Sequence, residues 1–361
     1  MIAGAAARHA ERRDRLRTLI KVRHPGRLLL VTNLANVRYL TGFSGSNAVL
    51  VVGADPADDL IGTDGRYQDQ VGEQAPGLPM VIDRATLAAV CTLIRDSAVL
   101  VEPVMSIADF DGLRDAGMAI SVGGALVEQL RAVKDDGELD ARARACAITA
   151  SALAALAGEI TVGSTEIALA RRLEQLFGEL GAEDRAFDTI VATGAHSAVP
   201  HHEPDATTLQ RGDLLVIDAG ARVDGYHADM TRTFVVGADP APWQVEIHEA
   251  VRQGQAAARA ACRAGASQFA IDASAREPIA RAGFGEQFTH GLGHGVGLDI
   301  HEAPMIGPRS TGTIEANMAI TVEPGVYLTG RGGVRIEDTL VVTDAGPRIL
   351  TEASRDLLVV G

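Results

Sequence analysis

Two stretches of this chain carry acidic residues on either side of a turn signal, inside runs that otherwise read as buried strands. The first runs from LLVIDAG through Asp224-Gly225 to HADMTRTFVV. Asp-Gly between two apolar runs favours a two-residue hairpin loop, because both turn positions need positive φ. That loop sets Asp218 opposite Thr231, and Asp229, two residues from Thr231, shares its face. The two carboxylates become diagonal neighbours, roughly 7 Å apart at the backbone. Either aspartate alone also fits a solvated strand end, but two on one face repel unless a cation joins them.

The second stretch repeats the construction. Glu323 in TVEPGVYL and Glu337 in RIEDTLVV flank the loop 329–333, and a hairpin centred on Gly330 sets them opposite one another. Arg335 shares the face of Glu337. Taken alone, this pattern also describes two exposed glutamates with a neutralising arginine. The β-branched and apolar flanks favour burial instead, and buried like charges call for a metal or for raised pKa values. Between the two stretches lies HGLGHGVGLDIHE, where His290, His294 and His301 alternate with glycines. Glycine admits close backbone approach, and neutral imidazole is a common metal ligand.

Asp218, Asp229, His294, Glu323 and Glu337 together make a set of four carboxylates and one imidazole. That set suits two hard to borderline divalent ions: Mn²⁺ fits best, with Co²⁺, Fe²⁺ and Zn²⁺ also compatible. Two such ions about 3.5–4 Å apart support hydrolysis. The residues alone specify metal-assisted hydrolysis and leave the substrate open.

Charge narrows the partners. The 33 Lys and Arg against 47 Asp and Glu give a net charge of -14, which argues against nucleic acid and anionic membranes. The three cysteines Cys91, Cys146 and Cys262 are widely spaced and form no CxxC pair, so reduced core thiols are expected. The opening MIAGAAARHAERRDRLRTLI lacks the apolar core of a secretory signal and reads as an amphipathic helix. A soluble, cytoplasmic protein is the expectation.

With 361 residues the chain has room for two domains. Residues 1–125 read as an α/β domain: an opening helix, a strand from Arg27 to Thr32, and β-type stretches in NVRYLTGFSG, Ala48 to Val52 and LIGTDGRY. Helices follow near Thr86 to Ile94 and Ile107 to Asp115. Residues 126–361 form the second domain. They open with an alanine-rich helical connector over about 126–159, broken near Asp136-Gly137, and a helix from Ser164 to Leu180 capped by Thr165. Strands and helices then mix without strict βαβ alternation, which predicts an α+β fold.

The motifs VIDAG, ADMTRTF, HGLGHGVG, TVEPG and RIEDT, in this order, resemble the pita-bread metallopeptidases, the family of methionine aminopeptidases, aminopeptidase P and the Xaa-Pro dipeptidases (prolidases). NVRYLTGFSG and TDGRY resemble the creatinase-type N-terminal domain of the Xaa-Pro branch, and LRAVKDDGEL its connecting segment. The resemblance implies a pita-bread catalytic domain with an internal pseudo-twofold, preceded by that smaller α/β domain. It implies that Asp218 binds one metal through both oxygens, that Asp229 and Glu337 bridge the pair, and that His294 and Glu323 complete the coordination of the second ion. Glu323 is also implied as a proton shuttle. His290 and His301 match positions that contact the scissile carbonyl and substrate backbone, and His201, within SAVPHHEP, matches a substrate-contacting histidine. Arg335 matches an arginine that supports the site and helps recognise the prolyl side; balancing the acidic cluster is its alternative role.

The activity so implied is hydrolysis of the N-terminal Xaa-Pro bond of short proline-containing peptides, by a homodimer. The alternatives are a creatinase-like hydrolase of a small non-peptide molecule and a non-catalytic member that binds peptides or proteins.

Overall fold

The apolar runs of the N-terminal part form one six-stranded sheet. In this computed structural model, which describes residues 2–361, the chain divides into two compact units, one ending at Arg131 and one spanning Ala132–Gly361. The first unit carries α1 (Ile2–Arg23), β1 (Leu28–Val31), α2 (Leu34–Thr41), β2 (Val49–Val52), β3 (Leu60–Thr63), α3 (Gln68–Gln74), β4 (Met80–Ile82), α4 (Thr86–Leu93), β5 (Ala98–Val101), α5 (Ile107–Asp115), β6 (Ala119–Val122) and α6 (Leu126–Ala132). Its strand order is β4-β3-β2-β1-β5-β6. The β1–β2 and β2–β3 pairs are antiparallel and the rest parallel. Leu30, Val51, Val99 and Val101 of the sheet are buried against Val90 of α4 and Leu113 of α5.

NVRYLTG departs from its β-type reading: Leu34–Thr41 is the helix α2. Asn33 caps its start, accepting from the N–H groups of Ala35 and Asn36, and Gly42 ends it at φ 84°. The two caps outweigh the strand preference of Val37 and Tyr39.

The alanine-rich stretch is two helices, α6 and α7 (Asp136–Ala157). They part where Asp135 and Glu138 form a reciprocal capping box. Helix α6 belongs with the first unit through Asn36, whose side-chain amide donates to Glu128 and whose carbonyl accepts from Arg131. Then come α8 (Glu166–Glu179), capped by Thr165, and the strands β7 (Asp184–Arg185), β8 (Ile190–Thr193), β9 (Leu214–Ala219), β10 (Ala221–Val223), β11 (Tyr226–His227) and β12 (Met230–Val236). Helices α9 (Pro242–Ala261) and α10 (Gln268–Arg281) follow. The chain closes with β13 (Gly293–Gly295), β14 (Glu302–Ile306), β15 (Ala319–Val322), β16 (Gly325–Leu328), β17 (Gly332–Arg335), β18 (Asp338–Val341), β19 (Arg348–Ile349) and β20 (Leu358–Val360).

The second unit is α+β, as the mixed pattern predicts, and its two halves are built alike. Helices α7 and α8 contribute Leu153, Leu156, Leu173 and Phe177 to a core shared with the sheet β20-β12-β9-β8. Helices α9 and α10 contribute Ile247, Val251, Ile271 and Ile279 to a core shared with the sheet β14-β13-β15-β18-β19. Each half presents one acid-bearing hairpin. No helix among the described residues is long and apolar enough to cross a membrane.

Candidate metal centre

The first hairpin has the register that Asp224-Gly225 predicts. Val223 pairs with Tyr226 across those two residues, both of which have positive φ, and Asp218 pairs with Thr231. Continued through the strand break, the register sets Gly220 opposite Asp229. A Cβ on Gly220 would lie 1.8 Å from the Ala228 carbonyl oxygen, so only glycine lets the hairpin pass from one sheet into the next beside Asp229.

The second hairpin turns at Gly330 and also breaks at its acids. Leu328 pairs with Gly332 and Val322 with Asp338, which sets Glu323 opposite Glu337 in register, yet neither lies in a strand. Their N–H groups turn away from each other: Glu323 donates to Leu292 O at 2.8 Å, and Glu337 donates to Thr231 O at 3.1 Å. This divergence brings the His294 strand to one side of the hairpin and the Asp218–Asp229 hairpin to the other. Gly293 permits the first approach, since a Cβ there would lie 2.2 Å from Thr321 O.

The four carboxylates and the imidazole therefore face one cavity of about 1040 Å³, which His201, His290 and His301 also line. Asp229, His294 and Glu337 each place a ligand atom within 4.8 Å of the others. His294 Nε2 lies 3.3 Å from Glu323 Oε1 and 3.6 Å from Asp229 Oδ2. Its Nδ1 is 3.0 Å from the Gly295 carbonyl, which can only accept, so Nδ1 carries a proton and Nε2 is the nitrogen that faces the carboxylates: protonated it donates to Glu323, and deprotonated it offers a lone pair to a cation. Asp218 joins through Arg335, whose Nη2 donates to Oδ2 at 2.7 Å. Asp218 Oδ1 and Glu337 Oε1 are buried without a hydrogen-bond partner.

The electrostatics are those of a site built around positive charge. Burial, followed by the charges of Glu337, Asp218 and Glu323, holds the Asp229 carboxyl well above its ordinary range. Burial and the charges of Glu323 and Asp218 do the same to Glu337, against a Thr231 Oγ1 donor at 2.7 Å. Burial would lower His294, but its hydrogen bond and ion pair with Glu323 outweigh that and raise it. Burial likewise disfavours the Arg335 cation, and the surrounding acidic groups, Tyr327 and Asp218 first, outweigh it. Orphaned carboxylate oxygens, acids forced toward neutrality and an imidazole nitrogen aimed among them fit divalent cations, which would satisfy the oxygens, offset the repulsion and replace the proton on that nitrogen.

Several working contacts here carry no signature in the motifs. The Tyr327 hydroxyl accepts from Arg335 Nη1 at 3.0 Å and lies 2.9 Å from His290 Nε2. His290 Nδ1 lies 2.8 Å from Gly291 O, so in the neutral ring Nε2 accepts and Tyr327 donates. Thr231 Oγ1 donates to Glu337 while accepting from Arg335 Nε at 3.1 Å, joining the two hairpins. Arg276 donates to the carbonyls of Phe288 and His290, fixing the segment before β13. The adjacent His201 and His202 both line the cavity, but His202 is also tied to Glu166, with Nε2 and Oε2 2.8 Å apart. Register across the hairpin at Gly330, which sets Tyr327 opposite Gly333 two residues from Arg335, is the signal that could have found Tyr327.

Residues 141–344, which contain all five of these side chains, match metallopeptidase family M24. The chain belongs to metallopeptidase family M24. Residues 12–133 match the creatinase/prolidase N-terminal domain, so the fold is a pita-bread catalytic domain preceded by that domain. The chain is similar to the Xaa-Pro dipeptidase of Pyrococcus furiosus, with 43% identity over 64% of this chain and 67% of that protein. It is also similar to the uncharacterized peptidase YqhT of Bacillus subtilis, with 34% identity over 92% of this chain and 95% of that one. Among solved structures, the Xaa-Pro dipeptidase from Bacillus anthracis superposes with a TM-score of 0.93 at 32% identity, covering 98% of this chain and all of that one (100%). The X-Pro aminopeptidase from Thermotoga maritima gives 0.89 at 34% identity, covering 96% and 99%.

Proposed function

We propose that this metallopeptidase is an exopeptidase that hydrolyses the bond between an N-terminal residue and proline, using two divalent ions held by Asp218, Asp229, His294, Glu323 and Glu337. The observation that carries the proposal is the convergence of four carboxylates and one imidazole on a single cavity, with two buried carboxylate oxygens unpartnered. The names of its relatives supply the substrate class. Ions bound there supply Lewis-acid polarisation of a carbonyl and acidify a water molecule.

The chain's own residues do the rest. Glu323 Oε1, beside His294, is placed to hold a proton and pass it to the prolyl nitrogen, which must be protonated to leave as an amine. His301 and His201 face the cavity as hydrogen-bond donors for the scissile carbonyl and substrate backbone. Burial, aided by the charge of His294, lowers the His301 pKa and keeps that ring neutral. His290 has both nitrogens engaged, so it acts by holding Tyr327 and through it Arg335. Arg335 takes both roles considered from the sequence: it neutralises Asp218 and stands at the cavity wall, where a prolyl carboxylate can meet it.

Manganese as the resident ion rests on the oxygen-rich ligand set. The homodimer rests on the resemblance to the Xaa-Pro branch. A cytoplasmic location accords with three free, buried cysteines, whose thiols burial pushes up to about 11 for Cys91 and Cys146 and about 12 for Cys262.

The test is cleavage by metal-free protein reloaded with Mn²⁺ on Ala-Pro, Ala-Pro-Ala, Met-Ala-Ala and a proline-free control. The proposal expects hydrolysis confined to the two proline peptides, and their ratio separates dipeptidase from aminopeptidase action. Equal cleavage of Met-Ala-Ala overturns the proline requirement.

A further inference from the structure

A second group of metal-ligating side chains lies apart from the five. Glu166, in the first turn of α8, is fully buried. Its Oε1 lies 3.0 Å from His196 Nδ1 and its Oε2 lies 2.8 Å from His202 Nε2. The backbone N–H groups of Thr193, at 2.8 Å, and Asp205, at 3.3 Å, donate to the same two oxygens and fix the carboxylate. The two imidazoles stack with centroids 4.1 Å apart and planes 33° apart. The Asp205 carboxylate closes the group, with one oxygen accepting the Thr207 N–H at 2.7 Å. One ligand atom from each of Glu166, His196, His202 and Asp205 lies within 4.8 Å of the others.

Two backbone N–H groups and two imidazoles fill the four acceptor positions of the Glu166 carboxylate. Those bonds do not involve the Asp205 side chain, which brings a second carboxylate beside the same two imidazoles. Two nitrogens and two carboxylates are the donor set of a tetrahedral zinc site, with ligand bonds of about 2.0–2.2 Å and ligand atoms therefore about 3.4 Å apart. His196 and His202 now meet different oxygens of Glu166, at 3.0 Å and 2.8 Å, and one ligand atom from each of the four side chains lies within 4.8 Å of the others, so binding requires the four to draw in around one ion. An entry path exists, because His196 is 34% exposed at its side chain while Glu166 is 0% exposed behind it.

We propose that Glu166, His196, His202 and Asp205 form a separate mononuclear site for Zn²⁺. The ion ties the start of α8 to the segment 194–205, which carries His201 into the cavity. Occupancy of the site is thereby linked to the position of a substrate-contacting histidine. The site shares no ligand with the first centre and takes no part in the catalytic steps there.

The experiment is equilibrium dialysis of metal-free full-length protein against Zn²⁺, with bound Co²⁺ read in parallel by its visible absorption. It compares the parent with His196→Ala and with Asp205→Ala, an exposed position whose loss leaves the fold in place. The proposal expects each variant to bind one Zn²⁺ fewer than the parent and to lose one tetrahedral Co²⁺ signal. The same one-ion difference is expected in an Asp229→Asn background, which disables the first centre and so separates the two readings. Zn²⁺ content and Co²⁺ absorption unchanged in both variants would show a hydrogen-bonded cluster and overturn the site.

Discussion

Replacing Glu323 by Gln is expected to lower kcat on Ala-Pro by about 10²–10⁴-fold with the bound ions retained, the range set by loss of a positioned proton donor and acceptor. The amide keeps the shape of the side chain and one oxygen that can coordinate, but it cannot carry a proton between water and the leaving nitrogen. Proline makes this step demanding, because its nitrogen leaves as a secondary amine only once protonated. The environment of Glu323 suits proton transfer. Burial pushes its pKa up, and the hydrogen bond and charge of His294 outweigh burial and bring it below its ordinary value. The carboxylate is thus ready to accept a proton. Elemental analysis beside the kinetics separates the outcomes. A kcat within about tenfold of the parent, with both ions present, would remove Glu323 from the proton path.

Removing the ions is expected to make stability depend on pH in a direction the loaded protein does not share. Asp229 and Glu337 have folded-state pKa values held above their ordinary range by burial and by like charge. A raised acid contributes stability that is fully present below its unfolded value, about 4, and is lost as pH rises through its folded value. His294, also raised, acts with the same sign. Glu323, lowered, acts with the opposite sign, as a single group against two strongly shifted carboxyls. Chelated protein should therefore lose Tm as pH climbs from about 5 to about 8, and the rise in Tm on adding Mn²⁺ should be larger at the upper end. Differential scanning calorimetry at several pH values reads this directly. A Mn²⁺-induced rise that shrinks with increasing pH would contradict the assignment of these acids as ligands.

Much of the catalytic unit was legible because short-range chemistry decides it. Asp224-Gly225 specifies a two-residue turn, and that turn alone sets the register that brings Asp218 and Asp229 to one face. Gly330 does the same for Glu323 and Glu337. The sequence could not show that these two glutamates direct their backbone bonds to different neighbours, Leu292 and Thr231, because that depends on how the hairpins stack. The pairing of Thr231 with both Glu337 and Arg335 was hidden for the same reason, its partners being more than a hundred residues away. Nothing local marks Glu166 in the first turn of α8, because its two histidines enter only when the segment after β8 folds back. In the N-terminal part, NVRYLTG misleads by composition: strand-forming Val37 and Tyr39 outvote the caps in a residue count, while Asn33 and Gly42 decide the conformation.

The most direct test of the two-ion centre is a titration of chelated protein with Mn²⁺, reading bound metal and initial rate on Ala-Pro in the same samples. Manganese suits this measurement because it competes poorly for the imidazole-rich cluster around Glu166. No cleavage is expected before metal is added, and the rate should saturate as about two ions per chain are taken up. Full cleavage by the metal-free protein, or two bound ions with no cleavage of Ala-Pro, would contradict a metal-dependent Xaa-Pro peptidase.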